Sequence, residues 1–518
     1  MNLAGNLIVN KDEIPNRICL IEKDVKINYF DLFKKVVEFS SYLKEQEIGK
    51  GTKVLVLVPM SINLYITLLS LWAIGAVPCF MDAGFIKSGM KNNEFDDIEA
   101  VIGISKYIMY SKVNKNLKQL NKKINVNILD KIDEKVNFYE IINDYEIEDL
   151  SEEFPAIYTY TSGTTGRPKI ACRSHRFLQD QADILSKTIR YEENDVELST
   201  IPIFTLSNIN FGITTVIAEA NFSNLGKSNP KKLVDQIVHR RTNRIMASPG
   251  LIDLINDYCI KHRIKLKMVK KIFTGGGAVF LDYVVKLKEV FEHAHITTIY
   301  GSTEAEPVAV LNINEMTQVD IENTIKGMGI LAGDIVGVDD CRTIKYDKKE
   351  IGDITRAQFE ALQTNNEVGE IVVCGKNVLP GYVDGYGDKE NKFKVSKVVY
   401  HRTGDLGIIQ GNKLWLRGRI KNPYFNIEAA LHACIQTIGK TAVIKDDNGL
   451  ILVLEKKNKS SIKKTVKQAE KKSIEELVNE IITFEKINEI RFINKIPVDK
   501  RHSTKVDFNK LKKMLKIS

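Results

Sequence analysis

Short apolar runs alternating with amphipathic stretches constrain this chain more than any other feature. Runs such as VLVLV at 54–58 and AVIGI at 100–104, with others at 244–247 and 271–273, are too short for helices and too apolar for strands with one wet face. Stretches such as 29–45 and 230–241 carry apolar residues at helical spacing between them. Strands buried on both faces and joined by helices define an α/β architecture with largely parallel sheets. After about residue 330 the runs shorten and Gly and Asp turns multiply, at 335–338, 370–374, 407–409 and 413–417, which predicts a β-rich subdomain. Strand signals at 442–444 and 449–454, then a helix at 473–484, make the rest a small α/β unit. The boundary falls near Arg419–Lys421, giving 1–419 and 420–518. There is no internal repeat.

With 518 residues, 43% of them hydrophobic, the chain can bury a large core. Its most apolar stretch, 62–81, is interrupted by Asn63, Thr67, Ser70 and Pro78, so it predicts a buried helix and strand, not a membrane span. The amino terminus lacks a basic region followed by an apolar core, so no signal peptide is expected. Seven cysteines without a C-x-x-C pair fit free thiols in a reducing cytoplasm. The net charge of +9 lies wholly within 420–518. A basic unit beside a neutral body suits a polyanionic substrate such as ATP, an acidic carrier protein or other pathway enzymes. For the lysine-rich stretch 456–472 a solvated face is the simpler reading, and without interleaved aromatics nucleic acid is not expected.

The chemistry centres on YTSGTTGRPK at 160–169. Gly163 and Gly166 let backbone N–H groups close on an anion, Thr161, Ser162, Thr164 and Thr165 add hydroxyl donors, and Lys169 supplies charge. The spacing G-x-x-G-x-x-K is not that of P-loop NTPases. By itself such a loop is also compatible with a surface turn. Four further segments follow. In IYGSTEAEP at 299–307, Tyr300 can stack on a purine, Thr303 can bond a phosphate oxygen, and Glu304, or failing it Glu306, can hold Mg2+ through oxygen. In HRTGDLG at 401–407, Asp405 can accept from a ribose diol. RGRIK at 417–421 is a charged hinge, and PVDKRHSTKV at 497–506 carries Lys505. Singly, each is an ordinary turn or a solvated lysine.

Together, and in this order, the motifs resemble the acyl-adenylate-forming superfamily over essentially the whole chain. The resemblance implies a large two-lobed α/β domain with a β-barrel subdomain, topped by a small mobile α+β domain. It assigns Thr161 to Lys169 to the β- and γ-phosphates of ATP, Tyr300 to adenine, Thr303 to the α-phosphate, Glu304 to Mg2+, and Asp405 and Arg419 to the ribose. Lys421 becomes the hinge and Lys505 the lysine bridging carboxylate and α-phosphate. Gly275, Gly276 and Gly277 would flank the acyl pocket, which Phe204, Thr205, Ser207, Asn208, Phe211, Ser248 and Pro249 would line unless they are simply core.

Three departures from the family pattern refine this. Thr205, within PIFTLS at 202–207, stands where many relatives carry His, so an aryl substrate is not inferred. From the hinge, Asn422-Pro423-Tyr424 leads at once to FNIE at 425–428 without the glycine loop that completes a pantetheine tunnel, which argues against CoA as a cosubstrate. The run PVD-x-RH-x-x-K, with MDAGF at 81–85 and YGSTEAEP, resembles the olefin-biosynthesis branch of β-lactone synthetases. The expected activity is adenylation of a small-molecule carboxylic acid, a fatty or β-hydroxy fatty acid, followed by β-lactone closure. A thioester-forming ligase acting on CoA or a carrier protein, and a silent nucleotide-binding protein, are the alternatives.

Overall fold

A computed structural model describes residues 1–81, 97–114, 117–130, 145–161, 168–347, 350–435, 439–455, 474–499 and 504–517. The chain is a mixed α/β protein in two compact units. The first comprises Met1–Glu219 and Leu379–Lys389, the second Ala220–Val378 and Glu390–Ser518.

In the first unit, a six-stranded sheet runs in the order Lys122–Asn125, Ala100–Gly103, Lys53–Leu57, Val77–Met81, Pro155–Thr161, Lys169–Ser174. Its pairs are parallel except the last, which is antiparallel. The helix Tyr29–Glu45 has no Gly or Pro inside, and the side chain of Asn28 caps it by accepting from the Asp31 N–H. It buries Leu32, Phe33, Val36, Val37 and Phe39. The stretch 62–81 is the expected buried helix, Ile62–Ala73, and strand, Val77–Met81. Ser61 caps that helix by accepting from Leu64 N, and Gly75, at φ +70°, turns the chain into the strand. A second sheet in this unit pairs Val25–Asn28, Ile18–Glu22, Thr214–Ile217 and Val196–Ser199.

In the second unit, Arg244–Met246, Lys271–Gly275 and His295–Ser302 are parallel. The hairpin from His295–Ser302 into Ala305–Asn312 switches the sheet to antiparallel pairing. The sheet continues through Ile330–Ile335, Lys413–Arg419, Val398–Gln410, Gly369–Cys374 and Asp340–Ile344. Val308, Ala332, Ile371, Val373 and Leu414 share one core there, with Tyr300 packed against it. The strand expected at 335–338 ends instead at Ile335: Gly333, at φ +103°, accompanies a register shift within it, and Gly337, at φ +76°, follows it.

The carboxy-terminal segment forms a three-stranded sheet of Thr441–Asp446, Gly449–Glu455 and Ile487–Ile493. Strand alternation divides its side chains. Val443, Leu452 and Leu454 pack with Ile427 and Leu431 of the helix Phe425–Cys434 and Val478 of Ile474–Ile481. Ala442, Ile444, Ile451 and Val453 pack instead with Ile496 and with Leu511 of the helix Phe508–Leu515. Among the described residues no helix is long and apolar enough to cross a membrane.

Candidate active site

The hairpin switch is also where the candidate site is built. Gly301 precedes the turn, and a Cβ on it would lie 2.7 Å from the Ala305 carbonyl oxygen, so the tight reversal that presents Thr303 and Glu304 needs glycine. Both side chains are half-buried. One residue earlier, the Tyr300 hydroxyl donates to Asp405 Oδ2 at 2.8 Å. Asp405 stands opposite Arg419 across the antiparallel pair, and Arg419 Nε lies 2.8 Å from Asp405 Oδ1. The backbone N–H of Asp405 donates to Thr403 Oγ1, and that hydroxyl donates to the Ile371 carbonyl, which fixes the strand carrying the carboxylate. Three residues before Asp405, the buried Arg402 guanidinium grips Glu370 through bonds of 2.9 and 2.6 Å.

Burial pushes the Asp405 carboxyl above its ordinary value, against the pull of Arg419, the Tyr300 hydroxyl and Lys505. Burial and the Asp405 charge drive the Tyr300 phenol well above its own, so it stays a hydrogen-bond donor. Lys505 follows Thr504 in the carboxy-terminal loop. Its loop is closed by Asp499, whose Oδ1 accepts from the N–H groups of Thr504 and Lys505 and whose own N–H donates to the Lys505 carbonyl. The preceding residue, Thr504, nests against Gly277: a Cβ there would sit 2.4 Å from Thr504 Oγ1 and 3.0 Å from its Cβ. Gly275 is equally confined, with the Ile299 carbonyl oxygen 2.4 Å from where its Cβ would be, and Gly276 turns at φ +75°. Thus Tyr300, Asp405, Arg419, the Gly275–Gly277 turn and the Lys505 loop converge in the second unit.

Other expected residues lie elsewhere. Thr161 and Lys169 face each other at the end of the antiparallel pair in the first unit. Ser162, Gly163, Thr164, Thr165 and Gly166 fall outside the described residues. Phe204, Thr205, Ser207 and Asn208 are buried on the helix Pro202–Asn210. The Asn208 amide donates to Glu197 at 2.7 Å and Thr215 at 2.9 Å, contacts of a protein interior. Ser207 bonds Tyr191, on which Phe211 stacks. Ser248 precedes the helix Pro249–His262 in the second unit, its hydroxyl buried without a partner among the described residues. Lys421 is exposed in a turn that Arg419 and Asn422 close by exchanging backbone bonds of 3.1 and 2.8 Å.

The donor set fits ATP and Mg2+. Magnesium is commonly held by one or two carboxylates plus substrate phosphates, and Glu304 offers one carboxylate. Among the described residues no group of three or more His, Cys, Asp or Glu forms a metal cage. Thr504 Oγ1, buried with no partner among the described residues, is a donor suited to an acceptor such as a phosphate oxygen.

Some features had no local signal in the sequence. Asp282 Oδ1 lies 2.9 Å from His432 Nδ1, His432 Nε2 meets Thr441 Oγ1 at 3.1 Å, and Thr441 donates to Glu428. Phe280 stacks on the imidazole at 4.2 Å. This chain ties the helix Leu281–Lys288 to the carboxy-terminal segment, and burial lifts its Glu428 carboxyl to about 8.

A fold of this kind, with an aromatic, a carboxylate and two cations around a hairpin turn, is that of an adenylate-forming ligase. The family model described as "AMP-binding enzyme" matches residues 9–383, and the chain belongs to that family. It is 27% identical over 421 residues to the olefin beta-lactone synthetase of Stenotrophomonas maltophilia, covering 76% of this chain and 73% of that one. Among solved structures, apo MatB from Rhodopseudomonas palustris superposes with a TM-score of 0.72 at 15% identity, over 100% of this chain and 99% of MatB. The O-succinylbenzoate coenzyme A synthetase MenE from Bacillus subtilis, solved with ATP and magnesium, gives 0.69 at 18% identity over 98% of this chain and 99% of MenE.

Proposed function

We propose that the protein activates a β-hydroxy fatty acid with ATP and Mg2+ and then closes it to a β-lactone. The first step joins a carboxylate oxygen to the α-phosphorus and expels pyrophosphate. Two anions must meet, so preplaced cations carry the catalysis. Lys505 neutralises the carboxylate and α-phosphate, and Lys169 with the loop from Thr161 holds the β- and γ-phosphates. Tyr300 packs on adenine, Asp405 and Arg419 orient the ribose, and Thr303 bonds the α-phosphate. Glu304 holds Mg2+, which supplies charge neutralisation at the phosphates when bound. In the second step the substrate's β-hydroxyl oxygen bonds to the acyl carbon, AMP departs, and the hydroxyl proton is released.

The observation carrying the second step is the junction after Arg419. The turn is closed by reciprocal backbone bonds to Asn422, and the helix begins at Phe425, so little chain is left for a pantetheine channel. Pro423 stiffens it further. An internal hydroxyl needs no such channel, because proximity replaces a second binding site. Similarity to the olefin beta-lactone synthetase supports the same reading. A thioester-forming ligase is the second reading, favoured by the likeness to MenE. We read 1–419 as the two-lobed catalytic domain, with the antiparallel strands as its barrel-like subdomain, and 420–518 as a lid moving about Lys421. The cysteines, free and mostly buried, suit the cytoplasm.

The test is product analysis with ATP and a panel of fatty and 3-hydroxy fatty acids, with and without CoA. The expected result is AMP, pyrophosphate and a product one water lighter than the 3-hydroxy acid, at a rate indifferent to CoA. Rapid CoA-dependent thioester formation from a simple fatty acid would replace the lactone reading with the ligase.

A further inference from the structure

The segment Leu379–Lys389 follows the whole of 220–378 in sequence, yet it is part of the first compact unit. It docks on the strand that starts at Lys169. Tyr382 pairs with Ala171 across an isolated antiparallel bridge, two residues on from the lysine. Its buried ring lies under the lysine ammonium, with Nζ 5.2 Å from the ring centroid. From another direction Gly387, at φ +95°, meets the lysine stem: a Cβ there would be 2.8 Å from both Cδ and Cε. Asp388 fixes the segment's shape, its Oδ1 accepting from the Tyr382 N–H at 2.9 Å, and a Cβ on Gly381 would crowd that carboxylate at 3.0 Å.

We propose that Tyr382 and Gly387 are positioning residues for Lys169, holding its side chain in one conformer before nucleotide arrives. A lysine loses much rotamer freedom when it settles on a phosphate, and the bracket removes that loss in advance. The aromatic face holds the ammonium electrostatically without itself neutralising the charge. The ring performs this function, and the phenol oxygen is not required. Because Lys169 is read as touching only the β- and γ-phosphates, the bracket acts on ATP and not on AMP. The inference rests on that reading of Lys169.

Calorimetric titration of the full chain with MgATP and, separately, with AMP tests it without any carboxylic acid. Tyr382→Leu and Gly387→Ala are expected to weaken MgATP about 5- to 30-fold, the range a desolvated cation–π contact supports, and to leave AMP within about twofold. Tyr382→Phe should restore MgATP affinity. Lys169→Met should lose at least as much as Tyr382→Leu, and combining the two should add nothing. If Lys169→Met binds MgATP normally, both the phosphate assignment and the bracket are overturned. If Lys169→Met weakens MgATP but Tyr382→Leu does not, the bracket alone is overturned. Equal loss of MgATP and AMP in Tyr382→Leu, with a lowered melting temperature, would mean that the segment only supports the fold, and would also overturn it.

Discussion

Replacing Gly277 by alanine should slow adenylation by displacing a residue distant in sequence. The new methyl would lie 2.4 Å from Thr504 Oγ1 and 3.0 Å from Thr504 Cβ, with Cγ2 at 3.8 Å. Comfortable contact requires roughly 3.5–4.0 Å, so the hydroxyl must retreat by about 1 Å. Rotating the threonine only swings one branch into the place of the other, and the close Cβ does not move at all. The backbone of Thr504 must therefore shift, and Lys505 moves with it. A misplacement of about 1 Å in a catalytic group costs on the order of 100-fold in rate, or about 2.7 kcal/mol of transition-state stabilisation. MgATP affinity should change far less than the rate, because Lys169 and the loop from Thr161, read as holding the β- and γ-phosphates, are untouched and at most the Thr504 hydroxyl is withdrawn from a phosphate oxygen. Carboxylate-dependent exchange of labelled pyrophosphate into ATP reads the rate, and MgATP titration reads the affinity. Clearing the space with Thr504→Gly in the Gly277→Ala background should recover much of the loss. A Gly277→Ala enzyme with wild-type exchange, or a double variant no faster than the single, would refute the reasoning.

Lys505→Ala should lose at least about 3 kcal/mol of transition-state stabilisation, as when a preorganised oxyanion donor is deleted, with little change in ATP binding; near-normal pyrophosphate release would remove Lys505 from the mechanism. Glu304→Gln keeps the shape and removes the charge, so the Mg2+ titration of activity should move to higher concentration; an unmoved curve would pass the role to Glu306. Glu428 is lifted by burial from its ordinary 4.5 to about 8, so between those values the folded chain keeps a proton that the unfolded chain has released. Stability should therefore fall as pH rises through that window and level off above it, whereas Glu428→Gln, which can still accept from Thr441, should flatten the melting-temperature profile; unchanged slopes would show that the carboxyl is ionised in the fold.

The strands and helices were legible where one local signal governs them. Apolar residues at helical spacing in 29–45 mark the helix Tyr29–Glu45, and Val54, Leu55 and Val56 read as a buried strand because both faces are covered. The strand end near residue 335 was misplaced, since Val336 and Val338 look like strand residues while Gly333 and Gly337 set the backbone path. In the site, Tyr300, Asp405 and Arg419 each sit in a short motif, so they could be named one by one. Their meeting is a matter of strand register, which pairs Asp405 with Arg419. The contacts of Gly277 with Thr504, of Asp282 with His432 and of Lys169 with Tyr382 join partners more than a hundred residues apart. Nothing within a window of sequence marks either member, because a van der Waals fit or a buried polar contact is specified by the completed fold.

The return of Leu379–Lys389 to the first unit bears on how the protein is made. A ribosome adds roughly 5–20 residues per second and early domains tend to fold as they emerge, but here the first 219 residues leave the exit tunnel without a piece of their own structure. Their parallel sheet can form, while Lys169 stays unbracketed until residue 389 has been synthesised. Lys169 thus gains its bracket only once the segment Leu379–Lys389 has been added, and the residues read as holding the ribose, Asp405 and Arg419, come later still.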